Sequence, residues 1–165
     1  MNDMIKEIST LEELKSSTNV IRKSFYTVAD EFGLTVQNCP TNPAFLDESD
    51  LLNKKEKNNV SMYGLFDECN QIGFVALEKP SPDSTVFYLE RLAVLPEHRH
   101  KGYGRLLMDY AFEAVRKNNG QKISIGIINE NIRLKNWYVD YGFKELEIKQ
   151  YPHLPFDVCF LEKDV

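Results

Sequence analysis

Cysteine is scarce: Cys39, Cys69 and Cys159 are the only three in 165 residues. The number is odd and the spacing fits no metal or redox motif. A disulfide framework is therefore excluded, and a reducing, cytoplasmic setting is expected. No apolar run approaches the roughly 20 residues that a membrane-crossing helix needs. The opening stretch, MNDMIKEIST, lacks the apolar core of a secretion signal. Positive charge is also short. Lys and Arg total 20 against 25 Asp and Glu, giving a net charge of −5 and an isoelectric point near 5.3. Binding to nucleic acid rests on a basic surface, so that role is excluded as the main one. A cationic small molecule or basic peptide is not repelled. The phosphate-binding pattern GxxxxGK[ST] is missing as well.

What remains is an ordinary globular composition, 42% hydrophobic and 27% charged. The length suits one domain spanning residues 1–165, long enough to enclose a core. A short strand is expected over Met4–Ser9. Thr10 then caps a helix, with Glu13 completing a capping box. Ile21, Phe25, Val28, Ala29 and Phe32 repeat at helical spacing, and Gly33 ends the run. Residues 34–59 are irregular, broken by Pro40 and Pro43, with a short helix around Asp47–Lys55. Such a stretch is either a surface connection or a binding segment.

Val60–Phe66 and Gln71–Glu78 form a hairpin about Asp67–Asn70. Thr85–Val94 is almost continuously apolar apart from Glu90 and Arg91, which predicts a central strand. A helix over Gly102–Asn118 presents Leu106, Leu107, Tyr110, Ala111, Ala114 and Val115 on one face. The strand Lys122–Ile128, the helix Asn131–Tyr141 and strands near Lys144–Gln150 and Phe156–Glu162 complete the chain. The order is β-α-(α)-β-β-β-α-β-α-β-β, an α/β fold with a mixed sheet flanked by helices.

The segment Tyr88–Ala111, YLERLAVLPEHRHKGYGRLLMDYA, carries the most chemistry. A buried strand runs into RHKGYG, where a helix begins. Gly102 and Gly104 let backbone approach a ligand closely. A helix N-terminus supplies unpaired N–H groups and the positive end of a dipole. The combination suits a phosphate or pyrophosphate, with Arg99, Lys101 and Arg105 adding charge. Leu107 stands where a dinucleotide fingerprint needs a small residue, so that pattern is absent. The alternative is an ordinary glycine turn.

LAVLPEHRHKGYGRLLM resembles the acyl-CoA-binding motif of the GNAT superfamily of N-acetyltransferases. NIRLKNWYVDYGF, Asn131–Phe143, is similar to that family's later motif through Asn131, Tyr138, Gly142 and Phe143. It departs at Leu134, where the family usually has Ala. The resemblance implies a GNAT-like fold and acetyl-CoA as co-substrate, with no metal. It implies that backbone of Leu92, Ala93 and Val94 pairs with the pantetheine arm. The pyrophosphate would rest on the amides of His100, Lys101, Gly102, Tyr103, Gly104 and Arg105, with Arg99 beside them. Asn131 would contact the same cofactor.

Amine acetylation needs a route for protons. Tyr138 matches the family's position for the acid that protonates the departing thiolate; otherwise it is a packing tyrosine. Glu90 is the candidate base, acting through water; otherwise it is an ion-pair partner of Arg91 or another cation. Tyr26, Phe45, Tyr88 and His153 are candidates for the acceptor site. His98 and His100 lack a third metal ligand nearby. The expected activity is transfer of acetyl from acetyl-CoA to a primary amine of a small molecule, amino acid or peptide. The alternative is a non-catalytic acyl-CoA-binding or sensing domain. No membrane partner is expected, and homodimer pairing through the C-terminal strands is open.

Overall fold

The computed structural model describes residues 4–165. A seven-stranded sheet runs through the molecule in the order β1-β2-β3-β4-β5-β7-β6. Its strands are β1 (Ile5–Glu7), β2 (Val60–Asp67), β3 (Asn70–Glu78), β4 (Val86–Val94), β5 (Lys122–Ile128), β6 (Lys144–Lys149) and β7 (Val158–Asp164). Helices α1 (Leu11–Glu31), α2 (Glu48–Lys55), α3 (Tyr103–Lys117) and α4 (Ile132–Tyr141) flank it. The element order is the one expected from sequence.

Local chemistry accounts for the boundaries. The Thr10 side chain accepts the Glu13 amide at 3.1 Å, and Glu13 Oε1 accepts the Thr10 amide at 3.0 Å. This reciprocal box starts α1. Gly33, at φ 64°, turns the chain away after its end. The hairpin pairs from Val60↔Glu78 to Asp67↔Asn70. The last strand begins at Val158 rather than Phe156, because Phe156 packs into a side cluster instead.

The two faces of the sheet bury different sets. Beneath α3 and α4 lie Leu65, Val75, Leu77, Phe87, Leu89, Leu107, Met108, Val115 and Ile123. Beneath α1 and α2 lie Ile21, Leu51, Met62, Phe74, Ala76 and Ala93. Alternation along β4 therefore sends Leu89 to the α3 side and Glu90 to the α2 side. The buried stripe of α3 is Leu107, Met108, Ala111, Phe112 and Val115, with Leu106, Tyr110 and Ala114 at its margin. It is rotated from the expected face because Met108 and Phe112 fill the sheet-facing positions.

A third cluster joins Ala29 near the end of α1, Leu34 after it, Ala44 before α2 and Ile128 at the end of β5. Phe45, Leu154 and Phe156 pack against it. The irregular segment and the β6–β7 connection thus meet at one end of the sheet.

Candidate active site

β4 and β5 are parallel and pair only from Val86↔Lys122 to Tyr88↔Ser124. Beyond that point β5 continues alongside β7, and β4 runs on to Val94 with no partner on its β5 side. A β-bulge drives the divergence. Ala76 pairs with Glu90 and Phe74 with Ala93, so Arg91 and Leu92 together oppose Val75. Arg91 takes φ 54°, a left-handed conformation that costs a non-glycine residue energy. Backbone of Leu92, Ala93 and Val94 consequently borders an open wedge. An extended amide-bearing chain can enter such a wedge as an added strand.

The strand leads through a short 3-10 turn, Pro96–His98, into the glycine loop. His100 has φ 62° and Gly102 φ 85°. Left-handed residues near a helix start turn successive N–H groups inward, forming an anion-binding concavity. Gly102 is the N-cap of α3, and no side chain caps the helix. The first return bond is Leu106 N–H to the Gly102 carbonyl, 3.1 Å. The amides of Tyr103, Gly104 and Arg105 precede it and are the helix's orphan donors. A Cβ on Gly102 would meet nothing within 4 Å; on Gly104 its nearest neighbour would be Trp137, at 3.4 Å. The loop offers backbone over open space, which fits a pyrophosphate. Lys101 and Arg105 are exposed beside it, and Arg105 lies 5.5 Å over the Tyr141 ring.

Arg99 is committed elsewhere. Its guanidinium donates to the Val94 carbonyl (3.2 Å), the Thr27 hydroxyl (3.0 Å) and the Ser24 carbonyl (2.8 Å). It ties the loop to α1 rather than extending over the α3 N-terminus. Asn131 is buried and caps α4, its Oδ1 accepting the Leu134 amide at 3.3 Å. Its Nδ2 amide can still donate to a ligand.

Tyr138 stands on α4, 5% exposed, with its ring edge-on to Trp137 (5.0 Å) and Phe143 (5.4 Å). Burial pushes its pKa well above the usual phenol value, so the hydroxyl keeps its proton. Gly142, at φ 124°, ends α4 and lets the chain turn back so that Phe143 packs on Tyr138.

Glu90 Oε2 is 3.0 Å from an Arg91 nitrogen and 3.3 Å from Lys54 Nζ of α2. Burial works against its charged form. A hydrogen bond from Glu78 and the cations Lys54 and Arg91 outweigh that and hold its pKa below the ordinary carboxylate value. Glu78 responds oppositely: its hydrogen bond to Glu90 and its burial raise its pKa. Glu78 pairs with Tyr88, two residues from Glu90 on the same strand face, and Asn59 Nδ2 approaches its Oε1 at 3.5 Å. Sequence reasoning passed over Glu78 and Lys54. The signal for Glu78 was its place two residues after Ala76, on the face that Glu90 shares.

The acceptor candidates divide. Tyr26 is 60% exposed on α1, whereas Phe45 is half-buried in the third cluster. His153 is exposed in the β6–β7 connection, its ring 5.8 Å from that of Tyr151. Tyr88 is 43% exposed on β4, within the carboxylate group rather than the third cluster. Among the described residues no three His, Cys, Asp or Glu side chains gather as a metal site, and no helix is long and apolar enough to cross a membrane.

Comparison with known proteins identifies the family and the fold. The profile of the acetyltransferase (GNAT) family matches residues 26–143. The ribosomal-protein-S18-alanine N-acetyltransferase of Escherichia coli superposes with TM-score 0.75 at 14% identity, over 98% of this chain and 92% of that one. The PaiA N-acetyltransferase of Thermoplasma acidophilum, solved with coenzyme A, gives 0.74 at 20% identity, over 98% and 99%. An aminoglycoside 6'-N-acetyltransferase, also complexed with coenzyme A, gives 0.71 at 15%, over 97% and 96%. No curated protein matches the chain by sequence.

Proposed function

The chain belongs to the acetyltransferase (GNAT) family, and on that premise we propose that it transfers an acetyl group from acetyl-CoA to a primary amine by direct attack in a ternary complex. The observation that carries this reading is the opening between β4 and β5, which leads into an uncapped helix start. The acceptor is a small molecule, amino acid or peptide amine. The relatives' names support that range, one acting on a ribosomal protein and another on an aminoglycoside. Bound acetyl-CoA supplies a thioester whose carbonyl carbon is open to an amine.

The chain's own residues do the rest. Backbone of Leu92, Ala93 and Val94 aligns the pantetheine arm. An amide at or next to Leu92 polarises the carbonyl, a contribution typically worth roughly 2.7–4 kcal/mol. The amides from His100 to Arg105 hold the pyrophosphate, with Lys101 nearby. The Asn131 amide borders the cofactor at the start of α4. Tyr138, kept neutral by burial, donates its proton to the sulfur as CoA departs. An alkylammonium has a pKa of about 10.4, so the acceptor must shed a proton first. Glu90, with Glu78 beside it, receives that proton through water. Tyr26, Phe45 and His153 set the acceptor's surroundings from the α1 end, and Tyr88 from the carboxylate side. β6 leaves its outer edge unpaired and exposes Leu146 and Ile148, which supports pairing of two copies there.

The test is a library of amines screened for acetyl-CoA-dependent thiol release. Release with at least one amine, strongly reduced in Tyr138→Phe, is the expected result. One observation favours a second reading, a non-catalytic acyl-CoA sensor: Glu90 is already neutralised by two cations. Calorimetric binding of CoA with no release for any amine would select it.

A further inference from the structure

One cation in the cleft has no part in that scheme. Lys54 reaches from α2 to the sheet and sets its Nζ 3.3 Å from Glu90 Oε2, with both side chains only 25% exposed. Among the described ion pairs it is the one lysine held by a carboxylate of β4. Glu90 stands two residues before Leu92. A strand advances roughly 3.3 Å per residue, so the carboxylate that holds the lysine stands two strand positions from the start of the wedge. α2 is a short helix with Leu51 as its only buried residue, and Lys54 stands in its last turn. Arg91 remains 3.0 Å from the same carboxylate oxygen. Glu90 therefore keeps a partner if Lys54 loses its charge, which avoids leaving an unpaired anion in the cleft.

We propose that Lys54 is itself an acetyl acceptor, modified by its own molecule when acetyl-CoA is bound and no external amine is present. This rests on the transfer reading above. Nζ gives a proton directly to Glu90, which it already touches, and forms a bond to the thioester carbonyl carbon. The C–S bond breaks, its electron pair leaves with sulfur, the sulfur takes a proton from Tyr138, and the second proton lost from Nζ passes through water to the Tyr138 phenolate. The products are Nε-acetyl-lysine and CoA. The modified side chain is neutral, so it releases Glu90 and opens that face to an incoming ammonium.

The experiment incubates the purified protein with deuterium-labelled acetyl-CoA and no amine, followed by time-resolved peptide mass mapping. Lys55 and Lys57 lie on the same segment and report ordinary chemical acetylation. Lys54 should take label at least roughly tenfold faster than either, a small part of what intramolecular positioning supplies. Its rate per molecule should not change with protein concentration. In Tyr138→Phe its labelling should fall toward that of Lys55. Equal labelling of the three lysines, or a rate that rises with protein concentration, overturns the proposal. So does an unlabelled Lys54 in protein that acetylates an added amine, and that result leaves the transferase reading standing. No label on Lys54 and no transfer to any amine of the library rejects both.

Discussion

The Arg99 guanidinium donates to the Ser24 carbonyl at 2.8 Å, joining the glycine loop to the middle of α1. Two further bonds, to Thr27 and Val94, make it a three-point brace. Ser24 is buried and its hydroxyl finds no partner, so the main-chain contact is what fixes α1 here. Lysine cannot reproduce the planar fork. Arg99→Lys should lower the unfolding free energy by about 1.5–3 kcal/mol, the worth of a charged hydrogen bond lost. Denaturant titration measures this. Unchanged stability together with lost CoA affinity would make Arg99 a direct phosphate ligand instead.

Gly104→Val should fold, because its Cβ would make only an ordinary contact with Trp137. The branched side chain would still crowd the amides proposed to hold the pyrophosphate. Loss of one charge-assisted bond is worth about 1.5–3 kcal/mol, which is roughly a 10–100-fold weaker Kd for CoA. Calorimetry on a folded variant with unchanged affinity would move the phosphate site away from this loop.

The element order was readable because hydrophobic period and caps are local. The Thr10–Glu13 box, the hairpin and the glycine loop each depend on residues close in sequence. The carboxylate group was only half readable. Glu90 stood out as a charge within an apolar strand, but the Lys54 that neutralises it is thirty-six positions away. Arg99 was half readable for a related reason. Its charge beside a phosphate loop suggested a ligand, whereas its partners Ser24 and Thr27 lie on a helix far back in the chain. The bulge at Arg91 left no mark, since a left-handed arginine is set by strand pairing rather than by residue type.

Glu13 gives a pH prediction. Its hydrogen bond from Lys6, at 2.9 Å, is the main cause that holds its pKa at about 2 against 4.5 ordinarily; burial opposes this, and the Thr10 and Ser9 amides reinforce it. The folded state thus binds this proton less readily than the unfolded chain does. The stabilisation is fully present above about 4.5 and is lost as pH falls toward 2. Thermal melts across that window should show stability falling in the wild type. In Glu13→Gln the fall should be shallower, because the titrating group is gone. Identical slopes would mean that the capping carboxylate is not folding-linked.

The two proton-handling candidates should fail differently. Tyr138→Phe keeps the ring that packs on Trp137 and Phe143 and removes the hydroxyl. Turnover should drop by roughly 10²–10⁴-fold, the usual worth of general acid catalysis, with little change in acetyl-CoA affinity. The loss should shrink at low pH, where solvent protonates the thiolate more readily. Glu90 differs, because its lowered pKa leaves it ionised at neutral pH and only weakly basic. Its ionisation lies below the working range, so the rise of kcat/KM with pH should follow deprotonation of the acceptor amine. Glu90→Gln should therefore be slow near neutrality and recover as pH rises and more amine is free. A variant with the wild-type rate near neutral pH would leave water alone, or water held by Tyr88 or His153, as the proton's route. A wild-type rate for Tyr138→Phe on the true acceptor would remove the acid assignment. It would leave untouched the proposed cofactor seat, which rests on the Gly102 turn and the β4–β5 wedge.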